Sequence, residues 1–90
     1  MSVDLKQAVA AALQGDWTTA HEIAQESDEQ IANWIHAVLH KIEGDEGNSR
    51  YWYSRARKRY EDFADSTSEL KAIAKILENK FLENKSLDNQ

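Results

Sequence analysis

Leu13-Gln14-Gly15-Asp16 and Ile42-Glu43-Gly44-Asp45 each end one helix-like run and begin another. Glycine suits the left-handed residue that stops a helix. Aspartate suits the N-cap of the helix that follows. Each Gly-Asp therefore reads as a tight corner between two antiparallel helices. The two corners lie 29 residues apart, which predicts a repeated helical hairpin.

The rest of the chain agrees with that reading. Its 90 residues include no proline, only three glycines and many Ala, Leu, Lys, Glu and Gln. This favours a single all-α domain. The absence of cysteine excludes disulfides, thiolate metal sites and cysteine nucleophiles. No apolar run approaches the roughly 20 residues of a membrane helix. The short run Ala8 to Leu13 follows Asp4 and makes a poor signal peptide. A cytoplasmic protein with no membrane association is the expectation.

Working outward from the corners gives about five helices. Helix one is expected from Val3 to Gln14 with Ser2 as cap, burying Leu5, Ala8, Val9, Ala12 and Leu13. Helix two spans about Trp17 to Glu26, with Trp17, Ala20, Ile23 and Ala24 inward. Ser27 and Gln30 form a capping box for helix three, which runs to Glu43 with Ile31, Trp34, Ile35, Val38 and Ile42 on its stripe. Helix four is expected from about Glu46 to Phe63, starting as late as Ser49 if Gly47 and Asn48 weaken its first turn. Its inner face is Ser49, Trp52, Tyr53, Ala56, Tyr60 and Phe63. Ser66 and Glu69 form a second capping box, and helix five runs to about Asn84, burying Leu70, Ile73, Ala74, Leu77 and Phe81. Residues 1–84 form the domain and 85–90 a frayed polar tail.

The repeat continues beyond the corners: at the same offset Leu5 meets Trp34, Ala8 meets Ala37, Val9 meets Val38 and Ala20 meets Ser49. Gly15-Asp16-Trp17-Thr18-Thr19-Ala20 resembles the corner of a tetratricopeptide hairpin. The period is shorter than that family's 34, helix one lacks its early tryptophan, and a plain five-helix bundle would show similar corners. On the resemblance, two hairpins would be closed by helix five as a C-terminal capping helix. A second likeness covers Trp34 to Ala56, WIHAVLHKIEGDEGNSRYWYSRA. It resembles a segment of small uncharacterised bacterial helical proteins with the pattern W-x-H-A-x-L-H-x-x-E-G-D-x-x-N-A-x-Y-W-Y-x-R-A, with Ser49 in place of the pattern's Ala. That resemblance singles out Trp34, His36, His40, Glu43, Asn48, Tyr51, Trp52 and Arg55, and implies no activity.

Two strips can carry chemistry. His36, His40 and Glu43 stand at i, i+4 and i+7, on one strip of helix three. Two histidines so spaced can chelate a divalent metal, with Glu43 as a third ligand. Ala37 stands where His-Glu-x-x-His has its glutamate, so no protease is implied. The alternative is a set of polar residues flanking a packed helix, and His21 reads as exposed. Tyr51, Arg55, Lys58 and Asp62 form a second strip on helix four, suited to an interface or to a solvated face with Arg55 on Tyr51 and Lys58 paired to Asp62. Trp17, Trp34 and Trp52 read as core.

Charge is uneven: residues 1–49 carry net −7, residues 50–59 net +5 and residues 60–90 net −3. The acidic total disfavours nucleic-acid binding. The basic segment suits a protein partner, including a second copy in a weak homodimer. No catalytic set and no cofactor other than a divalent metal emerge. The expected function is a helical protein–protein interaction module; the alternative is a metal- or small-ligand-binding protein, or an enzyme, centred on His36, His40 and Glu43.

Overall fold

Both glycine corners take the left-handed conformation, with φ of +83° at Gly15 and +84° at Gly44. That turn lets the next amide reach back five residues, Asp16 to the Ala11 carbonyl (2.9 Å) and Asp45 to the His40 carbonyl (3.0 Å). Each aspartate then caps the following helix, accepting from the amide of Thr19 (3.3 Å) or Asn48 (3.2 Å). The computed structural model describes residues 4–88, with side chains through residue 79. The helices are α1 (Leu5–Leu13), α2 (Trp17–Ala24), α3 (Gln30–Ile42), α4 (Glu46–Ala56) and α5 (Ser66–Asp88), with a 3-10 turn at Tyr60–Asp62. The fold is all-α, and no strand occurs among the described residues.

The largest departure from expectation is α4, which starts at Glu46 but stops at Ala56 rather than Phe63. Arg57 takes a left-handed φ of +58°, and the Lys58 amide reaches back to the Tyr53 carbonyl (3.0 Å). The chain thus makes the glycine type of helix stop without a glycine. Two distant side chains fix it there. The Gln30 amide donates to the Ala56 carbonyl (2.7 Å), and Lys41 Nζ donates to the carbonyls of Tyr60 (2.9 Å) and Phe63 (3.1 Å). Tyr60 and Phe63 therefore pack on the core from an irregular segment.

Both expected capping boxes are replaced. Gln30 is committed to Ala56, and Ser27 Oγ accepts from the Glu29 amide (3.2 Å) just before α3. Asp65, not Ser66, caps α5 by accepting from the Ser68 amide (3.0 Å), which frees Glu69 to turn inward. At the start of α1 the cap is Asp4, which accepts from the Gln7 amide (3.2 Å); the expected cap, Ser2, and Val3 lie outside the described residues. α5 continues past Asn84 to Asp88. The Phe81 side chain and residues 89–90 also lie outside the description.

Small residues let helices approach closely. Ala37 and Ser49 are fully buried where α3 meets α4, and Ser49 Oγ donates to the Ala37 carbonyl (2.7 Å). α5 packs along α1 and α3, the first helix of each hairpin. Leu5, Val9, Ile35, Val38, Leu39, Tyr53, Leu70 and Ile73 form the core. Leu13 and Ile42, both expected inside, end their helices at the corners and are 40% and 44% exposed.

One buried charge pins α5 to the second hairpin. Glu69 accepts from Trp34 Nε1 (2.8 Å), the Tyr53 hydroxyl (2.6 Å) and Lys41 Nζ (3.0 Å). A buried ion is tolerable only when its oxygens are so occupied. Burial and the Glu69 carboxylate together push the Tyr53 hydroxyl well above its ordinary pKa, so it remains a donor.

Candidate functional site

The site forms where the hairpins meet. On α3 every residue from Ala32 to His40 is buried, so His36 and His40 lie one turn apart, only 6% and 7% exposed. The third member comes from the other hairpin. His21 on α2 places its ring 4.6 Å from His36 and 5.5 Å from His40, while His36 and His40 are 5.0 Å apart, all between ring centroids. One ring nitrogen from each of the three lies within 4.8 Å of the others. Nitrogen ligands about 2.05 Å from a tetrahedral ion are separated by roughly 3.3 Å.

His21 is half-buried rather than exposed, and the reason is its neighbour. Trp17, one turn earlier on α2, packs against the core and donates Nε1 to the Leu39 carbonyl (2.7 Å). Residues at i and i+4 share a helix face, so His21 follows Trp17 inward. The two rings stack at 4.7 Å and 10°. Trp52 of α4 stacks on His36 at 3.9 Å and 12°.

Electrostatics keep this cluster ready for a cation. Burial, then the neighbouring His21 and His40, depress the His36 pKa to about 4. Burial, then His40, lowers that of His21. Both are therefore neutral at pH 7, the form that binds metals. His40 Nδ1 lies 2.6 Å from Glu43 Oε1. A carboxylate only accepts, so Nδ1 carries a proton and Nε2 is the nitrogen left for a metal. A carboxylate behind a ligand imidazole is the usual outer partner of a metal-binding histidine.

The other expected site residues are dispersed. Glu43 backs His40 and is grouped with the exposed Asp45 rather than with His36; Asp45 is already committed to capping α4. Asn48 Nδ2 donates to Asp45 (3.4 Å). Trp34 is buried on the Glu69 side of α3, and Lys58 lies over its ring at 4.3 Å, because α4 ends before position 58 can pair with Asp62. Tyr51 is 54% exposed. Arg55 sits over Trp52 at 5.4 Å and Tyr51 at 6.0 Å while pairing with Asp28 (3.1 Å). His36, His40, Glu43 and Trp52 converge on one place, with Tyr51 and Arg55 joined to it through Trp52.

No family model, curated protein or solved structure matches this chain, so the functional reading rests on geometry. No helix is long and apolar enough to cross a membrane among the described residues.

Proposed function

We propose that this protein binds a divalent transition-metal ion through His21, His36 and His40, with Glu43 orienting His40. The observation that carries the reading is the convergence of three imidazoles from two hairpins, two buried and one half-buried, with ligand nitrogens within 4.8 Å. An all-nitrogen set suits Zn²⁺, Cu²⁺ or Ni²⁺. Three protein ligands leave one position of a tetrahedral ion for water or a small ligand. Because His21 belongs to the first hairpin and the other two to the second, the ion also straps the hairpins together.

Calorimetric titration with Zn²⁺ on wild type, His21→Ala and His40→Ala tests this. Both variants are expected to bind at least about tenfold more weakly, and wild type to melt at a higher temperature when Zn²⁺ is present. Equal affinity in wild type and His21→Ala, or no binding by wild type, rejects the site.

The second reading is a protein–protein interaction module of tetratricopeptide-like hairpins, including a weak homodimer. It is supported by the exposure of Leu13, Ile42 and Tyr51. Part of the basic charge of α4 is neutralised within one chain: Arg50 pairs with Glu46 and Glu61 (both 2.7 Å) and Arg55 with Asp28. Sedimentation velocity at low and high salt decides. A monomer at both removes the dimer.

A further inference from the structure

We infer that Trp17 and Trp52 are positioning residues of the metal site, each holding one ligand imidazole in plane and binding it more strongly once the ion is present. This rests on the metal-binding reading above. Each of the three ligand rings has its own holder. Trp17 lies parallel to His21, Trp52 lies parallel to His36, and the Glu43 carboxylate grips His40. The holders are themselves fixed. Trp17 is anchored by its 2.7 Å hydrogen bond to the Leu39 carbonyl, one residue from His40 in the same helix. Trp52 carries the Arg55 guanidinium at 5.4 Å and the Tyr51 ring edge-on at 5.2 Å, and Arg55 is tied to Asp28.

Parallel stacking of a neutral imidazole on an indole is mainly a dispersion and burial contact. A coordinated imidazole shares the charge of its ion. The negative face of the indole attracts cations. The two stacks therefore strengthen on metal binding, and that increment adds to affinity rather than to the stability of the metal-free fold. The carboxylate acts the same way, since its hydrogen bond strengthens as His40 becomes more cationic. Trp34 makes no part of this: it lies on the Glu69 side of α3 and serves as an internal control.

The test replaces each wall residue by Leu, which keeps an apolar side chain without a π face, and by Phe, which keeps a weaker face. Zn²⁺ affinity is measured by calorimetry on the full chain, beside the melting temperature of each metal-free protein. Trp52→Leu and Trp17→Leu are expected to bind Zn²⁺ about tenfold more weakly, with Phe recovering part of the loss to about threefold. Trp34→Phe is expected to leave the affinity unchanged. If a Leu variant does not fold, wild type against the Phe variant carries the comparison. Wild-type affinity in both Phe variants overturns the inference, as does equal loss in the Leu and Phe variants. Failure of wild type to bind Zn²⁺ removes the metal reading itself, which separates the two.

Discussion

Set 29 positions apart, the hairpins α1–α2 and α3–α4 agree at some residues and part at others. Gly15 matches Gly44, Asp16 matches Asp45, Ala8 matches Ala37, Val9 matches Val38, and Ala20 matches the small Ser49. Yet Gln7 stands opposite His36, Ala11 opposite His40, Trp17 opposite Glu46, and His21 opposite Arg50. The shared positions shape the corner and let two helices of one hairpin approach. Of the divergent ones, Trp17, His21, His36 and His40 meet at the junction between hairpins, which exists once and so has no repeat to obey. A second contrast lies at α5. Trp34 hydrogen-bonds the buried Glu69, whereas its counterpart Leu5 offers only apolar contact.

The sharpest way to break this second contrast is Glu69→Ala. It strands the largely buried Lys41 and two buried donors, and breaking a buried ion pair from one side costs about 3–5 kcal/mol. Urea denaturation should show that loss, with Glu69→Gln milder because it retains an acceptor for Trp34 and Tyr53. A loss below about 1 kcal/mol for the alanine variant would mean the second hairpin is held no differently from the first.

The junction is probed by acid. In the metal-free protein His36 sits at about 4 against an ordinary 6.5, so the unfolded chain takes up its proton first. Its stabilising contribution is present in full above pH 6.5 and is lost as pH falls toward 4. The loss is on the order of 3 kcal/mol. His21, also lowered, adds to the same limb. Denaturation across that window should give a steeper fall for wild type than for His36→Gln. Parallel curves would show that the junction carries no proton-linked stability.

How much of this was legible beforehand follows from the same division. The corners were readable because Gly-Asp encodes a local conformation, and local conformation is written in adjacent residues. The end of α4 was not. Arg57 carries no left-handed signal, and the groups that fix the stop, Gln30 and Lys41, are more than ten residues away in sequence. Glu69 fitted a capping box by spacing, but spacing does not reveal that Asp65 already holds the cap. At the site, His36 and His40 were evident from helical spacing. His21 was missed since its partners lie across a junction, although Trp17 at i−4 was the clue that it turns inward.

The smallest effects concern the corners, and they should differ in sign. No atom lies within 4 Å of a Cβ built on Gly15 or Gly44, so alanine there meets only the left-handed backbone. Gly15→Ala and Gly44→Ala should each cost about 1 kcal/mol. At Arg57 the same conformation is occupied by a side-chain residue, and Arg57→Gly should gain roughly 0.5–1 kcal/mol. Thermal melts read all three. A stability loss in Arg57→Gly would show that the α4 corner is not equivalent to the other two.

Lys41 has a consequence for the order in which parts come apart. Its ammonium gathers the carbonyls of Tyr60 and Phe63, the Glu69 carboxylate, and the faces of Tyr53 and Tyr60. The irregular stretch between α4 and α5 is therefore tethered at its middle, not merely at its ends. A strand of coil so held cannot fray by itself, since releasing it uncovers a lysine and a glutamate together. The amides of the first turns of α5, the stretch from 57 to 65 and the last turns of α3 should therefore open as one cooperative unit in hydrogen exchange.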